Sequence, residues 1–280
     1  MVTPNQVAGQ LRVNRKNNID KECMVVLNKF LERQALDYEF FYTFEIDEDN
    51  VCRSIFWADG RARNAYLKFC DVIAFDVTYK TNSFLMPFAP FTGVNHHRQS
   101  TLSDCDLLAD EREEMFVWLF KQWLRCMWDK APRAIITDQD VAIGNAIKRV
   151  FPHAHHRYCS WHLSLHEDEH IRSLHSIPEF DELYTRWAKK SKSIEESEQC
   201  WNTLKGKKPS FVGILSEKQR NVMKAWKWLE YEQGHHWVKA YLRGTFFVGR
   251  KVKRSMIFED VYMFQLFKFL QLCGSFTFCF

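Results

Sequence analysis

The sequence has little glycine, little proline and little net charge. Its 280 residues include 10 glycines and 7 prolines, which excludes collagen-like and low-complexity chains. Basic residues exceed acidic ones by only four, a balance that is compatible with nucleic-acid binding without indicating it. The hydrophobic content of 46% excludes wholesale disorder, and the length fits one large domain or two small ones.

The nine cysteines form no Cys-x-x-Cys pair, and their number is odd. We therefore expect a reducing compartment rather than a disulfide scaffold. Residues 1–21 lack the apolar stretch of a secretory signal. Residues 261–280 carry one charge, Lys268, and are long enough to cross a bilayer, but Gln265 and Gln271 interrupt them. We expect an amphipathic or aberrant tail there, not a membrane anchor.

The hydrophobic pattern predicts a mixed α/β chain. The N-terminal part is predicted as a helix, a hairpin and a second helix: 20–36, 40–46, 51–57 and 61–70. Next come three strands, a helix, a strand, a helix, and a strand that runs into a helix: 71–80, 87–95, 100–109, 111–128, 134–137, 141–151 and 155–163. This order predicts one mixed sheet covered by helices, followed by a polar helical region over 165–241.

Two aspartates are placed where strands could hold a metal site. Asp76 lies within the apolar run 71–80, and Asp138 follows the apolar run 134–137. If these strands are neighbours, the two carboxylates meet at one edge and offer the hard oxygen ligands of Mg²⁺ or Mn²⁺. The alternative is structural: Asp76 binds a backbone amide, and Asp138 caps the following turn.

A second cluster, HAHHRYCSWH, contains five residues of the types that bind metals: His153, His155, His156, Cys159 and His162. Cys159 and His162 have the Cys-x2-His spacing of half a zinc site, and His166 and His170 follow at helical spacing. The other half of a zinc motif is absent from the sequence. The alternative is that Cys159 and His162 are buried packing and hydrogen-bonding residues.

Basic residues are spread over the last third of the chain, with tryptophans between the groups. They are Lys189, Lys190, Lys192, Lys205, Lys207, Lys208, Arg250, Lys251, Lys253 and Arg254, and the tryptophans are Trp226, Trp228 and Trp237. The pattern is compatible with binding along a nucleic-acid backbone. The alternative is a solvated face over a tryptophan-rich core. Residues 249–254 also resemble a nuclear localisation patch.

Several long motifs occur in the order found in plant far-red impaired response (FAR-related sequence) proteins, transcription factors domesticated from Mutator-like (MULE) transposases. The chain resembles that family from about residue 25 to residue 249. The motifs include FWADGRARNAYLKFCDVIAFDVTYKTN, CDLLADEREEMFVWLFKQWL, ITDQDVAIGNAIKRVFPHAHHRYCSWHL and KAYLRGTFFVG.

The resemblance implies a ribonuclease H-like transposase core with Asp76 and Asp138 as its first two catalytic acids. It also implies a helical insertion before a third acid, a glutamate, and it matches Cys159 and His162 to the Cys-x2-His element of these transposases. Arg254-Ser255 could align with the family's Arg-Ser, but Met256 then stands where the glutamate is expected. Glu259, three residues on, is a weak substitute. We therefore expect a vestigial centre, with Mg²⁺ or Mn²⁺ only if it is retained and zinc as a further possibility.

The resemblance divides the chain into five predicted segments. They are a disordered lead, an N-terminal helix-hairpin-helix region, the ribonuclease H-like core, the helical insertion and a divergent apolar tail: 1–19, 20–70, 71–164, 165–248 and 249–280. The family's zinc-dependent DNA-binding domain and its SWIM zinc finger are expected to be missing, so contact with DNA would be indirect or through family members, in a homo- or hetero-dimer.

Three functions remain open from the sequence. The first is a nuclear transcription regulator that is catalytically inactive and not membrane-bound. The second is a metal-dependent DDE transposase acting on DNA. The third is a truncated, non-functional fragment.

Overall fold

The computed structural model describes residues 23–69, 71–77, 86–94, 100–231 and 234–245. These residues belong to two compact units. The first contains the described residues of 23–135 together with 140–154, and the second contains 136–139 together with the described residues of 155–245. The predicted tail, the Arg254–Met256 alignment and Glu259 lie outside the described residues.

The first unit contains a three-stranded antiparallel sheet in the order β1-β2-β6. Its strands are β1 (Phe41–Ile46), β2 (Cys52–Ala58) and β6 (Cys105–Leu107). The predicted turn joins β1 to β2: a carboxylate oxygen of Asp47 accepts from the backbone amides of Asp49 and Val51. Asn50 has a left-handed φ of 59°, which asparagine adopts more readily than most residues. The helix over residues 23–36, α1, packs Phe30 against the aromatic rings of this hairpin.

A second sheet has five strands in the order β5-β4-β3-β7-β8. Its strands are β3 (Val72–Phe75), β4 (Phe91–Val94), β5 (Ser100–Leu102), β7 (Ala134–Thr137) and β8 (His155–Tyr158). β4 is antiparallel to both β3 and β5. The backbone carbonyl of Asp71 accepts from the amides of Arg133 and Ala134, so β7 begins beside the beginning of β3.

The predicted mixed sheet is confirmed, but the predicted strand 100–109 is divided between this sheet and the three-stranded one. Ser103 and Asp104 separate β5 from β6. The Ser103 hydroxyl donates to the carbonyl of Phe91 at 2.8 Å, and the amide of Phe91 donates to the Asp104 carboxylate at 2.9 Å. These side-chain bonds take the place of ladder pairing, and the chain crosses from one sheet to the other.

Four α-helices complete the first unit, and the longest carries most of its core. They are α1, α2 (Gly60–Phe69), α3 (Glu113–Cys126) and α4 (Val141–Val150). Met115, Leu119 and Trp123 of α3 are buried, and so is Met127 directly after it. Trp123 packs its ring against those of Phe91, Tyr66 and Phe151. Glu113 joins α3 to α4 by accepting hydrogen bonds from Asn145 and Arg149.

Asp140 is the N-cap of α4, and we expect its side chain to stabilise the first unit. Its carboxylate accepts from the amide of Ile143 at 2.9 Å. Asp140→Ala should lower the free energy of unfolding by about 1 kcal/mol, because an amide in the first turn loses its acceptor. Asp140→Asn, which retains an acceptor oxygen, is the control. Equal urea denaturation midpoints for the two variants would contradict this role.

The second unit is mostly helical, as predicted for 165–241. Its helices are α5 (Ser160–His170), α6 (Phe180–Thr185), α7 (Ile194–Gly206), α8 (Glu217–Tyr231) and α9 (Lys239–Leu242), with 3-10 turns at Arg172–Ser176 and Gly234–His236 and a π-helical turn at Arg186–Lys190. Apolar residues from several of these helices form a separate core, including Leu174, Phe180, Leu204, Trp226 and Leu229. Within the described ranges no helix has both the length and the apolar character that a bilayer span requires.

Candidate functional site

Asp76 directly follows β3 in the first unit. The prediction that it lies inside a strand is wrong, because β3 ends at Phe75. Ile73 and Phe75 are fully buried, and Asp76 itself is only 8% exposed. Asp76 is therefore a nearly buried carboxylate at the carboxyl end of a core strand, the position where ligand sites gather in α/β sheets.

Asp138 directly follows β7 in the second unit and is half-buried. The Thr137 hydroxyl donates to the backbone carbonyl of Asp138 at 2.7 Å and lies 2.8 Å from Nε2 of His156. The amide of Cys159 donates to the carbonyl of Thr137. The helix that follows Asp138 takes its cap from Asp140.

The structure separates the members of the predicted histidine and cysteine cluster. His153 is exposed in the first unit, while His155, His156, Cys159 and His162 belong to the second. Cys159 is buried and precedes α5, and the ring of His162, in the first turn of α5, lies 4.7 Å from that of Trp161.

His156 is placed against a residue that the sequence did not single out. Nδ1 of His236 lies 2.9 Å from the backbone carbonyl of His156, and the two rings are 4.7 Å apart. The ring of Tyr158 lies 4.9 Å from that of His236. Eighty residues separate the two histidines, and no local spacing indicates the contact.

No group of three or more His, Cys, Asp or Glu side chains among the described residues is arranged to hold a metal ion. Cys159 and His162 supply two zinc-type donors, whereas a structural zinc site uses four. The donor set of the described residues therefore does not complete a zinc site. Asp76 and Asp138 are the two predicted carboxylates that the structure describes, and Glu259 lies outside the described residues.

Comparison with known proteins identifies the family. Residues 72–166 match the model of the MULE transposase domain. Protein FAR1-RELATED SEQUENCE 12 of Arabidopsis thaliana is 41% identical over 241 residues, which are 85% of this chain and 29% of that protein. Protein FAR1-RELATED SEQUENCE 7 of the same plant is 39% identical over 252 residues, 89% of this chain and 31% of that protein. The chain belongs to the far-red impaired response family.

The MULE match contains all four residues that the resemblance assigned: Asp76, Asp138, Cys159 and His162. It ends within α5, before most of the helical second unit. Protein FAR-RED IMPAIRED RESPONSE 1 of Arabidopsis thaliana is 40% identical over 159 residues, 57% of this chain and 18% of that protein. The chain thus spans less than a third of the length of each of these three relatives.

Asp104 and Asp106 form a buried pair of carboxyl groups in this chain, outside the predicted site. The two residues are 2% and 0% exposed. Burial raises the pKa of Asp104 to about 7, although hydrogen bonds from the amide of Phe91 and the hydroxyl of Ser103 oppose that rise. Burial, together with the neighbouring charge of Asp104, raises the pKa of Asp106 well above its usual value. The pair therefore retains a proton near neutral pH, on Asp106.

Three of the six lysines of the predicted basic stretch that the structure describes form ion pairs with glutamates. Lys189 contacts Glu167 at 2.6 Å. Lys207 and Lys208 contact glutamates at 2.5 and 2.9 Å. Trp226 is fully buried, so it is not available to stack on bases. These contacts favour a solvated face over a tryptophan-rich core. Arg250, Lys251, Lys253 and Arg254 lie outside the described residues.

Proposed function

We propose that the chain is a nuclear transcription regulator whose ribonuclease H-like, transposase-derived core no longer cleaves DNA. Family membership supports the transposase origin. The order of the five-stranded sheet supports the ribonuclease H-like fold: three strands form an antiparallel meander, and β7 and β8 extend the sheet on the side of β3. Contact with DNA, a nuclear location and pairing with related regulators belong to the same proposal.

The proposed inactivity rests on the sequence, which offers two of the three acids at the positions that the resemblance implies. Asp76 and Asp138 supply two carboxylates. The sequence has Met256 where the resemblance places a glutamate. A two-metal phosphoryl-transfer centre needs several carboxylates to hold both ions, so losing one removes charge where the transition state requires it.

A metal-dependent DDE transposase is the second candidate, because Asp76 and Asp138 each directly follow the carboxyl end of a β-strand, β3 and β7. In that case Glu259 would have to serve as the third acid. Bound Mg²⁺ or Mn²⁺ would activate the attacking water or hydroxyl and stabilise the leaving oxygen.

We expect the purified chain to show no strand cleavage or joining above background with Mg²⁺ or Mn²⁺ and a duplex substrate. Asp76→Asn and Asp138→Asn should leave that background unchanged, because an incomplete centre has little activity to lose. Asp110→Asn, at a partly exposed aspartate paired with Arg112, is the control. Activity that falls at least about 100-fold in both site variants but not in Asp110→Asn would favour the transposase.

A reporter assay tests the regulatory part separately. The chain would be expressed in plant cells alone and with a full-length family member, and reporter output and nuclear accumulation would be measured. We expect a changed output that Asp76→Asn and Asp138→Asn both retain. The regulatory role would be contradicted if reporter output stays the same with the wild-type chain and with both variants, whether or not the family member is present.

A further inference from the structure

The second unit contains a cavity of about 560 Å³ beside α5. One face of α5 lines it, through Ser160, Leu163, Ser164 and Glu167, which have the spacing of neighbours on a helix surface. Pockets that bury small ligands typically have volumes of about 300–1,000 Å³. None of the residues assigned to the transposase-type centre lines this cavity.

Four cations surround the cavity: Arg157, Lys189, Lys239 and Arg243. Among the described residues that line it, Glu167 is the only carboxylate, and it already contacts Lys189 at 2.6 Å. The net charge of the lining is therefore +3, which favours an anion of more than one charge. Arginine and lysine together are typical of phosphate recognition, because the guanidinium group matches phosphate oxygens in a bidentate geometry.

The cavity also has an apolar wall. Leu163, Ala188, Trp237 and Leu242 contribute to it, and the half-buried Trp237 is held by the ring of Trp187 at 5.1 Å. An indole fixed by a second tryptophan is a preorganised surface for a flat ring. A free phosphate ion would leave this wall unused, whereas a phosphate attached to an aromatic base would cover it.

We propose that this cavity binds a nucleotide, with the base against the Trp237 wall and the phosphate at the cationic rim. The same chemistry is offered by a free nucleotide and by an unpaired nucleotide within a DNA strand. The inference goes beyond the proposed function, because it requires neither Asp76 nor Asp138 and holds for a regulator and for an enzyme.

Lys239 is the residue through which to test the site. It is exposed on α9, and within the described part of the chain it forms no ion pair, so its replacement removes no salt bridge among the described residues. Lys239→Gln should weaken the binding of deoxyadenosine monophosphate about fivefold, because one phosphate-facing charge is lost, and Lys239→Arg should retain it. Lys224→Gln, at an exposed position of α8 outside the cavity, is the matched control.

The experiment is isothermal titration of the full chain at low salt with deoxyadenosine monophosphate, deoxyadenosine and inorganic phosphate. We expect the monophosphate to bind at least about tenfold more tightly than the other two, because only it uses both the cations and the apolar wall. Inorganic phosphate binding as tightly as the nucleotide would overturn the proposal. Equal losses in Lys239→Gln and Lys224→Gln would do the same.

A second titration separates the two sources of the nucleotide. In this titration a short single-stranded oligodeoxynucleotide competes with the monophosphate for the cavity. If the oligonucleotide binds more tightly, the site is assigned to a DNA strand. If it binds more weakly, the site is assigned to free nucleotides. If neither the monophosphate nor the oligonucleotide binds, the proposal is contradicted. Asp76→Asn and Asp138→Asn should bind the monophosphate as wild type does, so a failed reporter assay and a failed titration are distinguishable. Circular dichroism verifies that each variant is folded.

Discussion

Asp106→Asn should stabilise the protein at pH 8 by about 2 kcal/mol and leave its stability at pH 5 nearly unchanged. Asp106 is fully buried beside Asp104, and the pKa values of both carboxyls are raised by burial, that of Asp104 to about 7. A protonated aspartic acid and an asparagine are close in shape and both are neutral. At pH 5 the substitution therefore changes little, whereas at pH 8 it removes a carboxyl that keeps its proton in the folded chain although the unfolded chain has released it.

The sign of the pH dependence follows from proton binding. Between about pH 4 and pH 7 the folded chain binds more protons at this pair than the unfolded chain does, so the free energy of unfolding falls as pH rises through that range. Urea denaturation at several pH values should show a shallower decline for Asp106→Asn than for wild type. Asp129→Asn, at an exposed position with a left-handed φ of 57°, should change the stability by less than about 0.5 kcal/mol at every pH. Parallel pH profiles for wild type and Asp106→Asn would contradict the buried-pair account.

The sequence best predicts the elements that are determined by a local periodicity of apolar residues. The long helix was predicted over 111–128 and is observed at Glu113–Cys126, because an apolar stripe at helical spacing has one way to be buried. The strand 134–137 was predicted with the observed bounds. Its four residues are all buried, and such a short apolar run between polar neighbours leaves few alternatives.

The failures arise where side chains bind backbone at a distance. The run 100–109 alternates like one strand, and its division depends on Ser103 and Asp104 binding Phe91, which lies 12 and 13 residues earlier in the chain. Periodicity carries no information on such contacts. A signal did exist: two carboxylates at i and i+2 within an apolar strand, Asp104 and Asp106, have to be buried or exposed together.

The positions of Asp76 and Asp138 after apolar runs could be predicted from the sequence, whereas the contacts around them could not. Asp76 and Asp138 were identified from their position relative to apolar runs, and both follow core strands. Their catalytic roles came from the family resemblance and not from spacing. Asp140, which the sequence analysis passed over, stands directly before the first apolar residues of α4 and has the usual N-cap signature. His236 carried no such signature, because its contact with His156 is purely tertiary.

Phe120→Ala should lower the free energy of unfolding of the first unit by about 3–5 kcal/mol, the largest loss that we expect from a single substitution. Phe120 is completely buried on α3, and its ring meets those of Phe75, Phe91 and Phe151 at centroid distances of 5.0, 5.6 and 5.6 Å. Truncation leaves a cavity among rigid aromatic rings that cannot close over it. The free energy lost by removing the buried ring from the core and the cost of the cavity therefore add.

The same substitution also tests whether the β3 strand that leads to Asp76 depends on this cluster, because Phe75 directly precedes that acid. Urea denaturation should be followed by hydrogen exchange at the amides of β3 and β4, where Phe120→Ala should reduce protection together with global stability. Phe69→Ala, at a position that is 42% exposed, is the matched control and should cost about 1 kcal/mol or less. A loss in Phe120→Ala no greater than in Phe69→Ala would mean that the aromatic cluster does not hold the strand that positions Asp76.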